Sequence, residues 1–298
     1  MMSRRRAGRG VAAVIAVALL AGCSSISETG KPEESTGVGS STSTGAGEAV
    51  EQAIPLIHVH GIARHPRTSD LLVATHQGLF HQVDGELVRK GPAIDLMGFA
   101  IGDDGTLYAS GHPAPGTDLP QPVGLITSQD TGRTWQVASL GGRSDFHALT
   151  TGPNGVIGFD GTLRHTSDKE TWDTRDIPSP PRVLAASPTS GRVLATTSAG
   201  LLMSQDEGTT WTSLAPPEVA VLAAWADEET IVTSSAAGRL ATSSDAGQTW
   251  TLHPGSIGPA EALWAGRTSD GQLEIIASVD GRVISTTDAG RTTQTLVQ

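Results

Sequence analysis

One short motif, Ser/Thr-x-Asp-x-Gly-x-Thr, recurs about every 40 residues along this chain, a period typical of repeat folds. The Asp carboxylate can accept hydrogen bonds from nearby backbone N–H groups, and Gly takes positive φ at no steric cost. Each copy therefore predicts a tight turn. A Trp that follows in four of the five copies would fill the gap between neighbouring repeats. The copies are centred on Asp130, Asp168, Asp206, Asp245 and Asp288.

The motif resembles the Asp box, or bacterial neuraminidase repeat, of sialidases, sortilin-like receptors and photosystem assembly factors. The resemblance covers nearly the whole chain after residue 54. The second copy departs from it with Glu170 in place of Gly, and the last has Thr293 in place of Trp. The resemblance implies a structural role for the motif, as an outer hairpin turn away from the active face.

Each repeat contains four short strand-like runs separated by turn signals, a pattern that favours antiparallel sheets arranged radially. One further unit precedes the first motif, with Val83-Asp84-Gly85 at the place of the Asp turn. The sequence therefore predicts an all-β fold, a six-bladed β-propeller over residues 54–298. The predicted units span residues 54–92, 93–141, 142–179, 180–216, 217–257 and 258–298.

The first residues predict export. Four arginines precede a short apolar run, Val11 to Leu20, which is too short to span a membrane as a helix. Leu20-Ala21-Gly22-Cys23 then resembles a bacterial lipobox, which implies a signal peptide over 1–22, cleavage before Cys23 and its diacylation. The alternative is an ordinary secretory peptide with a chance cysteine. Residues 23–53 are rich in Ser, Thr and Gly and predict a flexible linker to a membrane lipid anchor on the extracytoplasmic side.

Charge and cysteine content exclude some functions. Cys23 is the only cysteine, so the folded part has neither a disulfide framework nor a thiolate metal site. The formal charge is −11, and it becomes more negative if the signal arginines are removed. An acidic exported protein without a basic stripe is a poor candidate for binding nucleic acid.

Aligning the six units places several potential metal ligands at one mouth of the central channel. Imidazole suits zinc and copper, and a mixture of His and Met favours copper, so we predict a copper or zinc site there. The alternatives are a polyanion site, or histidines that are each satisfied separately. The predicted ligands are His60, His76, His112, His147 and Met97, with His58 as a weaker candidate. His65, His81, His165 and His253 fall at other positions and are predicted to be solvated.

Enzymatic activity is a second hypothesis. The sequence segments around His60, His76, His112 and His147 resemble segments of a set of actinobacterial exported lipoproteins that are labelled glycosyl hydrolases. A true sialidase is disfavoured because the chain has no Arg-Ile-Pro and only one tyrosine, Tyr108, inside a strand. Another glycosidase or a metal-dependent hydrolase remains open, as does whether any reaction is catalysed. The carboxylate candidates are Asp95, Asp145, Asp160 and Glu261.

A third hypothesis is recognition without catalysis, with a small ligand, a glycan or a protein bound at the mouth. Trp225 and Trp264 occupy inner strands of the last two blades, where an exposed indole could stack on a ligand and a buried one would be core. The proline-rich insertion at residues 113–123 would overhang the same mouth as a wall or lid, or be a plain surface loop.

Overall fold

The computed structural model describes residues 58–298, which form 24 β-strands in six antiparallel sheets of four. Within each sheet the strands follow one another in sequence order, so each blade is one continuous segment of chain. The prediction of an all-β, six-bladed propeller is confirmed. The signal peptide, Cys23, the linker and residues 54–57 lie outside the described residues. Residues 58–298 contain no helix with the length and apolar character needed to cross a membrane.

The strands of the first three blades have the following bounds. Blade 1 contains β1 (Val59–Arg64), β2 (Leu71–Thr75), β3 (Gly78–Val83) and β4 (Glu86–Arg89). Blade 2 contains β5 (Ile94–Ile101), β6 (Leu107–Pro113), β7 (Leu125–Ser128) and β8 (Gln136–Ser139). Blade 3 contains β9 (Ala148–Gly152), β10 (Gly155–Phe159), β11 (Leu163–Thr166) and β12 (Asp173–Arg175).

The last three blades repeat the same order. Blade 4 contains β13 (Pro181–Ala186), β14 (Val193–Thr197), β15 (Gly200–Ser204) and β16 (Thr212–Leu214). Blade 5 contains β17 (Ala220–Trp225), β18 (Ile231–Ser235), β19 (Arg239–Ser243) and β20 (Thr251–Ser256). Blade 6 contains β21 (Ala260–Arg267), β22 (Leu273–Val279), β23 (Arg282–Thr286) and β24 (Gln294–Val297).

The six inner strands form a closed ring. Each inner strand contacts the inner strand of the next blade, and β21 of blade 6 returns to contact β1 of blade 1. Second strands are buried on both sides between neighbouring blades, and β2 and β14 are buried along their whole length. Outer strands such as β12 and β16 are mostly exposed. The apolar runs of the sequence therefore form the cores between blades.

The antiparallel order gives the ring two distinct faces. The starts of the inner strands and the connections between second and third strands share one face, here called the upper face. The connections between first and second strands, and between third and fourth strands, share the lower face. All five Asp motifs connect third strands to fourth strands, so they lie on the face opposite to the starts of the inner strands.

The Asp motifs form turns held by their own side chains. In blade 4, Ser204 donates its hydroxyl to Asp206 at 2.8 Å and accepts the N–H of Gly208 at 2.7 Å. Asp206 also accepts the backbone N–H and the hydroxyl of Thr210. Glu207 and Gly208 both have positive φ, which closes the turn tightly. Hydrogen bonds to the ionised form lower the pKa of this Asp and its equivalents, to about 2 for Asp245 and Asp288.

The second Asp motif is one residue shorter than the others. Asp168 bonds the N–H of Thr171, three positions later, whereas Asp206 bonds a residue four positions later. Only Lys169 has positive φ in this turn, and its N–H donates to Thr166 at 2.8 Å. The shortened turn therefore does without the glycine that the other four use, and keeps the hydroxyl and carboxylate contacts.

Each Asp turn packs against the blade before it. Trp172 of blade 3 stacks on Phe146 with ring centroids 4.9 Å apart and donates to Ser139 of blade 2 at 2.9 Å. Gly132 of blade 2 lies against Leu79 of blade 1, where an added Cβ would approach to 2.4 Å. The motif thus joins neighbouring blades as well as closing its own hairpin.

The ring closes between blade 6 and blade 1 through side chains. Arg64 donates Nε and Nη2 to the two carboxylate oxygens of Glu274 at 2.8 and 2.7 Å. Gln82 donates to the carbonyl of Leu296 at 2.8 Å. An apolar cluster drawn from both blades lies alongside these contacts. A bidentate Arg–carboxylate pair has a defined geometry, so it fixes the orientation of these two blades, which share no strand within residues 58–298.

We expect Arg64→Met to lower the free energy of unfolding by about 2 kcal/mol, because Glu274 would stay largely buried without its charged donor. Chemical denaturation of the full chain measures this. The matched control is Arg282→Met, whose ion pair with Asp280 is exposed and 3.7 Å long. It should change stability by less than about 0.5 kcal/mol. Equal effects of the two substitutions would contradict the closing role of Arg64.

Candidate functional site

Five of the six inner strands carry a β-bulge near their start. The extra residue in blade 1 is His60, between Val59 and Gly61, and in blade 2 it is Met97. Blade 3 has no bulge within β9, but His147 occupies the equivalent place, with its N–H donating to Phe159 O at 3.1 Å. The remaining bulged residues are Arg182, Val221 and Glu261. A bulge leaves its extra residue unpaired and redirects the side chain.

These six residues, here called the bulge ring, surround the upper end of the channel. In blade order they are His60, Met97, His147, Arg182, Val221 and Glu261. The channel has a volume of about 490 Å³, and all but Val221 of the ring line it. Because the blades follow one another around the channel, His60 of blade 1 and Arg182 of blade 4 lie on opposite sides of it. Met97 of blade 2 and Glu261 of blade 6 belong to the two blades that neighbour the blade of His60.

The first cluster of potential ligands contains His60, His76 and Asp95, with one ligand atom of each within 4.8 Å of the others. His60 Nε2 lies 3.3 Å from His76 Nε2, and the two rings meet edge to face. His76 Nδ1 donates to Asp95 Oδ1 at 2.6 Å. His58 adds a third imidazole, whose ring centroid lies 5.2 Å from that of His76.

The environment of His60 favours its neutral form. Burial lowers the pKa of His60, and the nearby imidazoles of His76 and His58 lower it further, against the opposing carboxylates of Asp95 and Glu261. Neutral imidazole is the form that binds a metal. The cluster lies between blades 1 and 2, and on its other side Glu261 of blade 6 accepts the N–H of Val59, the residue before His60, at 3.0 Å.

A second cluster contains His112, Asp145 and His147. The Nε2 atoms of both imidazoles approach Asp145 Oδ2, at 3.4 Å for His112 and 3.5 Å for His147. The predicted histidine set is therefore divided between two clusters on the upper face, one between blades 1 and 2 and one between blades 2 and 3. Met97 lines the channel at the bulge of β5.

The other two carboxylate candidates have separate surroundings. Asp160 binds Arg164 Nε through both carboxylate oxygens at 3.1 Å, and accepts the hydroxyl of Ser144 at 2.8 Å. Glu261 is exposed and lines the channel. Sequence reasoning placed Asp160 beside the histidines because it ends the second strand of its blade, but the short-range partner Arg164 holds it.

The proline-rich insertion packs onto its own blade. Val123 is fully buried and Leu119 packs against the core between blades 1 and 2. Val123 N–H donates to Gly111 O at 2.9 Å, and Gly142 N–H donates to Pro122 O at 2.7 Å. The channel-lining residues of the described chain do not come from residues 114–123. The insertion is therefore a packed part of the upper face beside the mouth.

Three histidines that were predicted to be solvated are buried, so that prediction is wrong. His81 is 2% exposed and pairs with Thr131 O of the next blade at 2.7 Å. His165 lies 3.0 Å from Arg175 Nη2. His65 lies 3.3 Å from Gly105 O. Each has its partner on a neighbouring blade or strand. His253 is half-buried against Thr242.

Both inner-strand tryptophans are packed. Trp225 is 7% exposed, and its Nε1 donates to Ala185 O of blade 4 at 3.1 Å. Trp264 is half-buried and packs against the core between blades 6 and 1. Trp225 therefore belongs to the core between blades and offers no stacking face at the upper mouth.

Comparison with solved structures supports the fold. A GH74 xyloglucanase from Xanthomonas campestris superimposes with a TM-score of 0.52 at 15% identity, over 81% of this chain and 46% of that one. This chain thus spans about half the length of the xyloglucanase. A catalytically inactive virginiamycin B lyase from Staphylococcus aureus, solved with quinupristin, gives 0.54 at 11% identity, over 80% and 83%. The U3-55K structure gives 0.54 at 10%, over 80% of both chains.

Sequence comparison adds no family. No protein-family model matches the chain. No curated protein matches it either. At the identities found, the solved structures show a shared β-propeller fold, and a shared fold does not imply a shared function.

We expect the pKa of His60 to lie below the ordinary 6.5, because burial disfavours the imidazolium. An NMR titration of the imidazole signals in metal-free protein measures it, with His60 assigned by its loss in His60→Ala. In His76→Ala the pKa of His60 should rise, because a competing positive charge is removed and water gains access. A wild-type value at or above 6.5 would contradict the environment described.

Proposed function

We propose that this protein is a lipid-anchored, extracytoplasmic propeller that binds a transition-metal ion, copper or zinc, on its upper face. The ion is bound by the Nε2 atoms of His60 and His76. Asp95 holds His76 in place through its Nδ1, and His58 lies beside the pair. The observation that carries the proposal is the approach of these two Nε2 atoms, 3.3 Å apart, with a carboxylate 2.6 Å from the other nitrogen of His76.

The 3.3 Å between the two Nε2 atoms fits a shared metal ion as well as a hydrogen bond, and His60 Nε2 also lies 3.4 Å from His76 Nδ1. In a tetrahedral site with bonds of about 2.0 Å, neighbouring ligand atoms are about 3.3 Å apart. A carboxylate that accepts the second ring N–H fixes the tautomer of a ligating histidine and increases its basicity. Two imidazoles leave further positions of the ion free for an external ligand, which could enter from the channel that His60 lines.

Titration of the full chain with Zn²⁺ and Cu²⁺, without a polyhistidine tag and with Cys23→Ser to remove the one thiol, tests the site. We expect His60→Ala/His76→Ala to weaken binding at this site by more than 10-fold, because both imidazole ligands are lost. Isothermal titration calorimetry measures the change. The control is His253→Gln, a half-buried histidine of β20, which should bind as the parent does. Unchanged affinity in the double variant would overturn the proposal.

The membrane anchor is a separate part of the proposal, supported by the short apolar run and by Leu20-Ala21-Gly22-Cys23. We expect the expressed protein to fractionate with membranes and to incorporate labelled fatty acid, because diacylation supplies two chains for stable anchoring. Cys23→Ser should abolish the label and release the protein from membranes. A label that persists in Cys23→Ser would contradict anchoring through this residue. The metal-binding part of the proposal does not depend on that result.

Glycoside hydrolysis is the second candidate function. It is supported by the fold shared with a xyloglucanase and by Glu261, exposed in a channel of about 490 Å³. A glycosidase needs two carboxyl groups facing one bond, about 5 to 10 Å apart. Asp95 is bound to His76, and Asp160 is bound to Arg164. Asp145 lies between two histidines. Three of the four candidate carboxylates thus contact a histidine or an arginine, so Glu261 lacks a second free carboxylate, and metal binding is the better-supported function.

A further inference from the structure

A buried histidine lies at the contact between blades 3 and 4. His165 of β11 is 6% exposed, and its Nδ1 lies 3.0 Å from Nη2 of Arg175 on the neighbouring strand β12. Because a guanidinium can only donate hydrogen bonds, Nδ1 is the acceptor, and the hydrogen of the neutral imidazole lies on Nε2. Arg175 therefore fixes the tautomer of His165.

The same guanidinium holds the Asp turn between β15 and β16 of blade 4. Arg175 Nη1 donates to the carbonyl oxygens of Asp206 and Glu207 at 3.2 and 3.1 Å. It also donates to the hydroxyl of Thr209. Arg175 thus links His165 to the backbone of the next blade, on the lower face of the ring.

The Nε2–H of His165 is buried and has no hydrogen-bond acceptor within residues 58–298. Glu207 Oε2 lies 3.6 Å away, beyond hydrogen-bond distance, and Oε1 of the same carboxylate accepts the side-chain amide of Asn154. A cavity of about 10 Å³ between the two blades is lined by His165, Asn154 and Glu207. The structure thus places a buried donor without an acceptor beside a carboxylate that has room to approach it.

Protonation of His165 reverses the preference for these two partners. The added proton binds Nδ1, so a donor then faces the donor of Arg175, and two positive charges lie side by side. The Nε2–H becomes a charged donor, which binds a carboxylate more strongly than a neutral imidazole does. Neutral His165 therefore favours Arg175, and charged His165 favours Glu207.

Groups on several neighbouring elements act on this proton equilibrium. On β12, Arg175 disfavours the charged imidazole and Asp173 favours it. Glu207 of the Asp turn and the backbone of Asn154 in the β9–β10 connection also favour the charged form. The part of the β13–β14 connection that lines the cavity is uncharged. Glu207 is thus the one carboxylate of blade 4 that faces the imidazole.

Burial confines proton binding by folded His165 to acidic pH. Burial is the main influence and lowers the pKa of His165 below the ordinary 6.5, and Arg175 lowers it further. The unfolded chain therefore binds this proton at higher pH than the folded chain. The neutral pair contributes its full stability above about pH 6.5, and this contribution is lost as the pH falls through the lower pKa of the folded state.

We propose that His165 is a proton-operated switch at the contact between blades 3 and 4. On protonation the imidazolium releases Arg175 and binds Glu207, and the Asp turn at residues 204–210 loses the guanidinium that holds its backbone. Acidification thus loosens this turn on the lower face. The switch does not depend on the metal site, which lies on the upper face and shares no residue with it.

His81 supplies a matched control at the equivalent place in blade 1. It is 2% exposed, and its Nε2 donates to Thr131 O at 2.7 Å, in the Asp turn of blade 2. Thr131 and Glu207 each directly follow the Asp of their motif. Protonation of His81 at Nδ1 leaves the hydrogen bond to Thr131 in place. Acidification should therefore act on the turn of blade 4 and spare the turn of blade 2.

Hydrogen–deuterium exchange with mass spectrometry tests the switch on the metal-free full chain. Peptides that cover residues 204–210 and 128–134 are compared at about pH 7.5 and about pH 5.0, after correction for the intrinsic exchange rate. The main variant is His165→Gln, whose amide oxygen can still accept from Arg175 and which does not titrate. His81→Gln is the control, and circular dichroism melting shows whether each variant is folded.

We expect exchange at residues 204–210 to be at least about 5-fold faster at the lower pH in the parent and in His81→Gln, because the turn is released. His165→Gln should show no such acceleration, and residues 128–134 should change little. Equal acceleration in His165→Gln, or in both turns of the parent, would overturn the proposal.

An NMR titration of the His165 ring nitrogens gives an independent readout that needs no core substitution. We expect Nε2 to carry the hydrogen at neutral pH and both nitrogens to be protonated at the lower pH. Glu207→Gln removes the carboxylate partner of the imidazolium, so it should shift this transition to lower pH. A His165 that stays neutral throughout, or a transition that Glu207→Gln leaves unchanged, would contradict the exchange of partners.

Discussion

The propeller depends on one contact, the closure of blade 6 on blade 1. Within residues 58–298 every blade is built from one continuous segment, so no strand of that range from one end completes a sheet at the other. The ring is held instead by the Arg64–Glu274 pair, by the Gln82–Leu296 hydrogen bond and by the apolar cluster of the two blades. Side-chain complementarity at this contact therefore decides whether six blades form a closed ring.

The candidate metal site lies beside that contact, between blades 1 and 2. Glu261 of blade 6 accepts the N–H of Val59 at 3.0 Å, and Val59 directly precedes His60 in blade 1. His76 follows β2, also in blade 1. Ring closure therefore sets the position of His60 relative to the channel. The bulges set the local direction of the side chains, because the extra residue of each bulged inner strand is unpaired, and all of these residues except Val221 line the channel. Fold and chemistry are separable here: apolar runs and Asp turns form the blades, and the bulged residues supply the groups at the mouth.

The fold could be predicted from the sequence because its determinants are local and repeated. The Asp turns, the two-residue Asp84-Gly85 turn and the short apolar runs each specify a hairpin without distant information. The burial of His81 and His165 could not be predicted in that way. Thr131, the partner of His81, belongs to the Asp turn of the following blade, and Arg175, the partner of His165, lies on the neighbouring strand β12. Their positions inside third strands were the available signal, since His81 lies two residues after Leu79 and His165 two residues after Leu163, on the same side of the strand.

The candidate site was only partly predictable for a related reason. Alignment of the repeats identifies equivalent backbone positions, and the bulge ring shows that His60, Met97 and His147 are equivalent. Alignment does not give the direction of side chains. Two separate clusters, with Asp95 in one and Asp145 in the other, follow from contacts between neighbouring blades. Asp160 is directed to Arg164 by a hairpin contact within its own blade.

The most direct test of the central claim is a crystal structure of the protein soaked in Zn²⁺, with anomalous diffraction recorded on both sides of the zinc absorption edge. The account predicts an anomalous peak about 2.0 to 2.1 Å from His60 Nε2 and from His76 Nε2, with His76 Nδ1 still bound to Asp95. Peaks confined to the Asp turns on the lower face, with none near His60, would contradict it.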